Sequence, residues 1–112
     1  MFSKILILAD QKSKRFLHKE LLSGIKLDSE FILVKSFEQA LEVIRKEDLS
    51  LIVLDNEVDD PGKHRKRKEA ILELKENSRN LPVIIIGYER KHALEALRDG
   101  ADGFIPMQWL SD

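Results

Sequence analysis

Leu51-Ile52-Val53-Leu54-Asp55 is a run of four apolar residues closed by an acid, and its reading decides the fold. A short continuous apolar run of this kind is the pattern of a strand buried on both faces of a parallel sheet. The N-terminus repeats it: Ile5-Leu6-Ile7-Leu8 is followed by Ala9 and then Asp10. Further out, Phe31-Ile32-Leu33-Val34 and, after Pro82, Val83-Ile84-Ile85-Ile86 predict two more strands. Gly103-Phe104-Ile105 predicts a short last one, with Pro106 blocking its continuation because proline has no N–H for the ladder.

Between these runs the apolar period changes to that of a helix. From Ser13, Leu17, Leu21 and Ile25 fall four apart, widened by Phe16 and Leu22, and Gly24 suits the left-handed closing position. Ser36 stands where an N-cap belongs, with Gln39 three residues on, and Phe37, Ala40, Leu41 and Ile44 form one helical face. After a Pro61-Gly62 turn, Ala70, Ile71 and Leu74 are the expected core contacts of the next helix. Ala93, Leu94 and Leu97 are expected to line another, stopped by Gly100. Strand and helix alternate throughout, which predicts an α/β domain with a parallel sheet and helices on both faces. Sites in such sheets lie outside the carboxyl ends of the strands, where Asp10 and Asp55 are expected.

At 112 residues the chain is expected to be a single domain spanning 1–112. No stretch approaches the roughly 18 consecutive apolar residues of a membrane span, so no membrane association is expected. The opening apolar run is too short for the h-region of a signal peptide, and there is no cysteine. Both features lead us to expect a cytoplasmic protein without disulfide or thiolate chemistry. No nucleophile–base pair or glycine-rich phosphate loop is present, so no enzyme activity is expected. His18, His64 and His92 have no metal-ligand spacing.

Four segments, taken in order, resemble the receiver domains of two-component response regulators. They are K-I-L-I-L-A-D-Q from Lys4, D-L-S-L-I-V-L-D-N-E-V from Asp48, L-P-V-I-I-I-G from Leu81 and L-R-D-G-A-D-G-F-I from Leu97. The resemblance runs from Lys4 to about Met107. It implies a flavodoxin-like, three-layer fold with five parallel strands in the order 2-1-3-4-5. It also implies a cytoplasmic role in phosphorelay signal transduction. Asp55 matches the phosphoacceptor, Asp10 one of two magnesium-binding acids, and the backbone carbonyl of Glu57 the third protein ligand. Such a set suits Mg²⁺, which takes one or two carboxylates plus a phosphoryl group and keeps several waters.

Other positions depart from the family. Ala9 replaces the first of the paired acids, and Gly87 replaces the Thr or Ser at the end of the fourth strand. No lysine lies between Asp102 and the last residue, where the family has one before a proline. The aromatic switch position is kept as Phe104, without a hydroxyl partner to follow. Losing a carboxylate weakens a magnesium site roughly tenfold or more. Losing the lysine and the hydroxyl removes two contacts to a phosphoryl group worth about 1.5–3 kcal/mol each. The expectation is a degenerate receiver, or pseudo-receiver, with a weak magnesium site. It would act by contact with a protein partner, a histidine kinase or a downstream output domain, with little phosphorylation-driven switching. A genuine phosphoacceptor phosphorylated on Asp55 by a histidine kinase is the alternative.

The family's fifth helix is expected to be absent or truncated, since the sequence stops at Trp109-Leu110-Ser111-Asp112. The sheet face it would cover is then open to a partner or to a second copy, as in a homodimer, with Trp109 at its margin. Lys63-His64-Arg65-Lys66-Arg67-Lys68 is a basic run, and the acidic stretch of Asp55, Glu57, Asp59 and Asp60 precedes it. A solvated face offset by those acids is the first reading of the run. An interaction surface through Lys63, Arg65, Lys66, Arg67 and Lys68 is the second, with nucleic acid as one partner it would fit. No aromatic residue is interleaved with it, which weighs against single-stranded nucleic acid.

Overall fold

Each apolar run forms a strand in the computed structural model, which describes residues 3–9, 29–55, 66–87 and 90–106. The strands are β1 (Ser3–Leu8), β2 (Ser29–Val34), β3 (Leu51–Asp55), β4 (Val83–Gly87) and β5 (Gly103–Pro106). All neighbours pair in parallel, in the order β2-β1-β3-β4-β5. The direction is that expected from the alternation of strand and helix, and the order is that implied by the resemblance. The helices are α1 (Phe37–Lys46), α2 (Arg67–Asn77) and α3 (Ala93–Arg98), the last preceded by a 3₁₀ turn at Arg90–His92.

Alternation along the strands divides the core into two layers. Leu6, Leu8, Ile52, Leu54, Val83 and Ile85 face one side, where Phe37, Ala40 and Ile44 of α1 and Ala70, Ile71 and Leu74 of α2 cover them. Ile7, Ala9, Val53 and Ile86 form the second layer, flanked by partly buried Ile5, Phe31, Leu33, Leu51 and Ile105. The described helices contribute their buried residues to the first layer. The helix expected from Ser13 on the other side, and everything from Met107 onward, including Trp109 and the fifth-helix position, lie outside the described residues.

The helix ends show how local sequence sets local structure. Ser36 caps α1: its Oγ accepts from the Gln39 N–H at 3.2 Å. The Gln39 Oε1 reaches back one residue further than in the usual capping box and accepts from the Lys35 N–H at 3.0 Å. At the other end of the chain, Ala101 N–H donates to Ala96 O and Gly100 N–H to Leu97 O, both at 3.1 Å. This pair of bonds is a Schellman motif closing α3, with Gly100 at φ +109 in its left-handed position.

One expectation for the core fails at α3. Leu94 and Leu97 are 58% and 47% exposed, and the residue that enters the core is Ala96. Helix α3 is only six residues long, Ala96 is its buried residue, and ion pairs at its side bear on its rotation. Here Arg67 of α2 holds one side, through Asp99 at 2.8 Å and Glu95 at 3.6 Å. The two leucines are thereby turned away from the sheet.

Candidate functional site

The strand register brings the candidate residues to one edge. Leu8 pairs with Leu54, so Ala9 is level with Asp55, and the Ala9 N–H continues the ladder by donating to Val34 O at 3.2 Å. Asp55 pairs with Ile86, and Gly87 pairs with Pro106. Asp55 therefore stands at the carboxyl edge of the central strand, flanked by Ala9 on one side and by Ile86 and Gly87 on the other. It is 2% exposed, while Ala9 and Ile86 are fully buried.

A carboxylate so placed is out of water, and its charge is tolerated only where hydrogen bonds or a cation compensate the lost hydration. Mg²⁺ is a cation suited to such a group, being hard and satisfied by oxygen. At this edge Asp55 supplies a carboxylate, and Ala9, Ile86 and Gly87 supply no side-chain oxygen. Among the described residues no group of three or more metal-binding side chains is gathered. Asp10 and Glu57, which the resemblance adds to Asp55, lie outside the described residues. The described donor, the Asp55 carboxylate, is of the hard oxygen kind that magnesium takes, and Ala9 beside it offers none.

Phe104 pairs with Ile85 and lies partly buried against the helix-covered layer. Gly87, which follows Ile86 in β4, offers no side-chain group at this edge. The basic run is divided by its surroundings. Lys66 and Lys68 are exposed at the start of α2, whereas Arg67 is partly buried in its ion pairs with α3. Lys63, His64 and Arg65 lie outside the described residues, as does His18. The structural role of Arg67 was not readable from the sequence, because a cation inside a charge run resembles a solvated one. Its partners, Glu95 and Asp99, are 28 and 32 positions away and carry no pattern linking them to it.

The order and direction of these strands are those of the receiver fold, and solved structures similar to this chain are described as response regulators or receiver domains. One is a response regulator of red-light signalling in R. palustris, at 18% identity and TM-score 0.70, over 92% of this chain and 79% of that one. Another is the receiver domain of a sensor histidine kinase from Pseudomonas aeruginosa PAO1, with a magnesium ion coordinated in its active-site cleft. It is 19% identical with TM-score 0.68, over 95% of this chain and 85% of that one. A third is a phosphorylated cyanobacterial phytochrome response regulator, 18% identical with TM-score 0.70, over 98% of this chain and 86% of that one. No family model matches the sequence, and no curated protein matches it. The likeness is one of fold. No helix among the described residues is long and apolar enough to cross a membrane.

Proposed function

We propose that the chain is a receiver-like domain of a two-component phosphorelay, acting through contact with a protein partner and with weak or no phosphorylation-driven switching. The observation that carries this reading is Asp55, buried at the carboxyl edge of β3 with Ala9 and Gly87 beside it. The phosphoacceptor position is kept, and two of the neighbours that would bind the metal and sense the phosphoryl group are reduced to a methyl group and a hydrogen. A ligand moves a conformational equilibrium only through contacts that differ between the two states. A phosphoryl group on Asp55 would find few such contacts here. The output is then recognition of this domain's surface by a histidine kinase or an output domain, without catalysis of its own.

Asp55, with Asp10 and the Glu57 carbonyl, would hold Mg²⁺. The ion would offset the charge of the phosphoryl oxygens. The chain's own contribution is to keep the Asp55 carboxylate dry and fixed at the strand end. The alternative is a genuine magnesium-dependent phosphoacceptor, favoured by the burial of Asp55 and by the likeness to a receiver domain that holds magnesium.

Incubation with Mg²⁺ and acetyl phosphate separates the two readings, with intact mass reporting modification and light scattering reporting oligomeric state. Slow, partial phosphorylation without a change of assembly is expected. Rapid, near-stoichiometric phosphorylation accompanied by a new oligomeric state would establish the alternative in its place.

A further inference from the structure

We propose that a cleft at the amino edge of the sheet, opposite the Asp55 edge, binds a small organic anion, with Arg79 receiving its anionic head. The cleft lies where α1 runs into β3 and α2 into β4, and its volume is about 400 Å³. That is within the range of small-molecule sites, roughly 300–1,000 Å³. Ile44, Leu49 and Leu81 give it apolar walls, and Arg45, Lys46 and Arg79 bring charge to it.

The charge balance favours an anion. Arg45, Lys46 and Arg79 are exposed, and among the described residues none of them is ion-paired. Of the acids lining the cleft, Glu47 is engaged by Lys4 at 2.6 Å, which leaves Asp48. Part of the basic character has an ordinary origin, since Arg45 and Lys46 sit in the last turn of α1, where cations complement the helix dipole.

Arg79 also stands near a helix end, just past the cap of α2, and what sets it apart is its backbone. Helix α2 closes with Asn80 N–H donating to Lys75 O at 2.8 Å, the same six-residue bond that closes α3. The residue in the left-handed position of that closure is Gly100 in α3 and Arg79 in α2, the latter at φ 58 and followed by Asn80 at φ 63. A glycine adopts this backbone freely and a long side chain does so under strain. The last turn of α2 already holds a cation, Lys75, which pairs with Asp102, so the dipole alone does not require an arginine in the left-handed position. The fold thus uses glycine where only the turn matters, and accepts strain where the side chain lines a cleft. Residues held in sparsely populated backbone regions cluster at ligand sites.

Titrating the full chain with phenylbutyrate, and separately with phenylbutylamine, while following backbone amide shifts tests the proposal. Phenylbutyrate should give saturable shifts at Glu47, Asp48, Ser78 and Asn80, and the amine should give none. Arg79→Gly and Arg79→Asn should fold with an unfolding temperature equal to or above that of the parent, yet bind phenylbutyrate about tenfold or more weakly. The proposal is overturned by a linear, unsaturated response to phenylbutyrate, by equal binding of the amine, or by variants that bind as the parent does.

Discussion

The Oδ2 atom of Asp102 accepts from the Lys75 ammonium at 2.5 Å and from the Val83 N–H at 2.9 Å, joining the start of β5 to α2 and β4. Its own N–H donates to Val83 O at 2.8 Å, so the two backbones are locked in register before the ladder begins. The Lys75 hydrogen bond, then the Val83 N–H, hold the Asp102 carboxyl below its ordinary range. A depressed folded pKa contributes stability above the unfolded value, near 3.8, and that contribution is lost as pH falls through the folded value. Asp102→Ala should therefore lower stability at neutral pH by about 1–2 kcal/mol, mostly through the unpaired Val83 N–H, since the ion pair is partly exposed and screened. Asp102→Asn should recover most of the loss. Urea unfolding should show the gap between Asp102 and Ala narrowing below about pH 4, and a gap that is constant with pH would refute the assignment. Asp55 could be read from the sequence because a buried strand announced its end. Asp102 could not: an acid before a glycine looks like any turn, and its partners are brought in by the sheet.

Among the elements, α2 departs from the local rules. Its N-cap is Lys66, which makes no side-chain cap hydrogen bond, and Arg67 and Lys68 follow where the helix dipole is positive. Arg67 is compensated by Asp99 and Glu95, while Lys66 stays exposed without an ion pair among the described residues. Lys66→Asp should raise stability by about 1 kcal/mol, by accepting from a free N–H of the first turn and reversing the sign of the charge there. A thermal melt checks this, with an increase of about 4–8 °C expected for a domain of this size. No increase would mean that Lys66 makes a compensating interaction in solution. The contrast with α1 explains what was legible. Ser36 and Gln39 form a cap because their side chains act within one turn of the backbone they bind, so the sequence carries the whole interaction. The orientation of α3 depends on an arginine 28 or more positions away, and hydrophobic spacing alone turned Leu94 and Leu97 the wrong way.

Across the whole molecule, the sheet orders its strands so that β1 and β3 present their ends side by side, which sets Ala9 next to Asp55. Ala9 is fully buried and level with Asp55, so it extends the apolar layer of Ile7, Val53 and Ile86 up to the carboxylate. Ala9→Asp would place a second carboxylate in that layer. Without a divalent cation, two neighbouring acids removed from water oppose each other and the apolar packing of the sheet. The variant should lose roughly 3 kcal/mol or more of folding stability, comparable to leaving a buried charge uncompensated. With Mg²⁺ the same pair becomes a better ligand set, and binding to the folded state alone stabilises it by about 2.7 kcal/mol at a hundredfold excess over Kd. Thermal unfolding with and without MgCl₂, against a KCl control of equal ionic strength, should show a large Mg²⁺-dependent rise in Tm for the variant. The parent protein should show a much smaller rise. Equal responses would mean that the parent already holds magnesium as well as a complete acidic pair does, and the reading of the site as weakened by Ala9 would have to be abandoned.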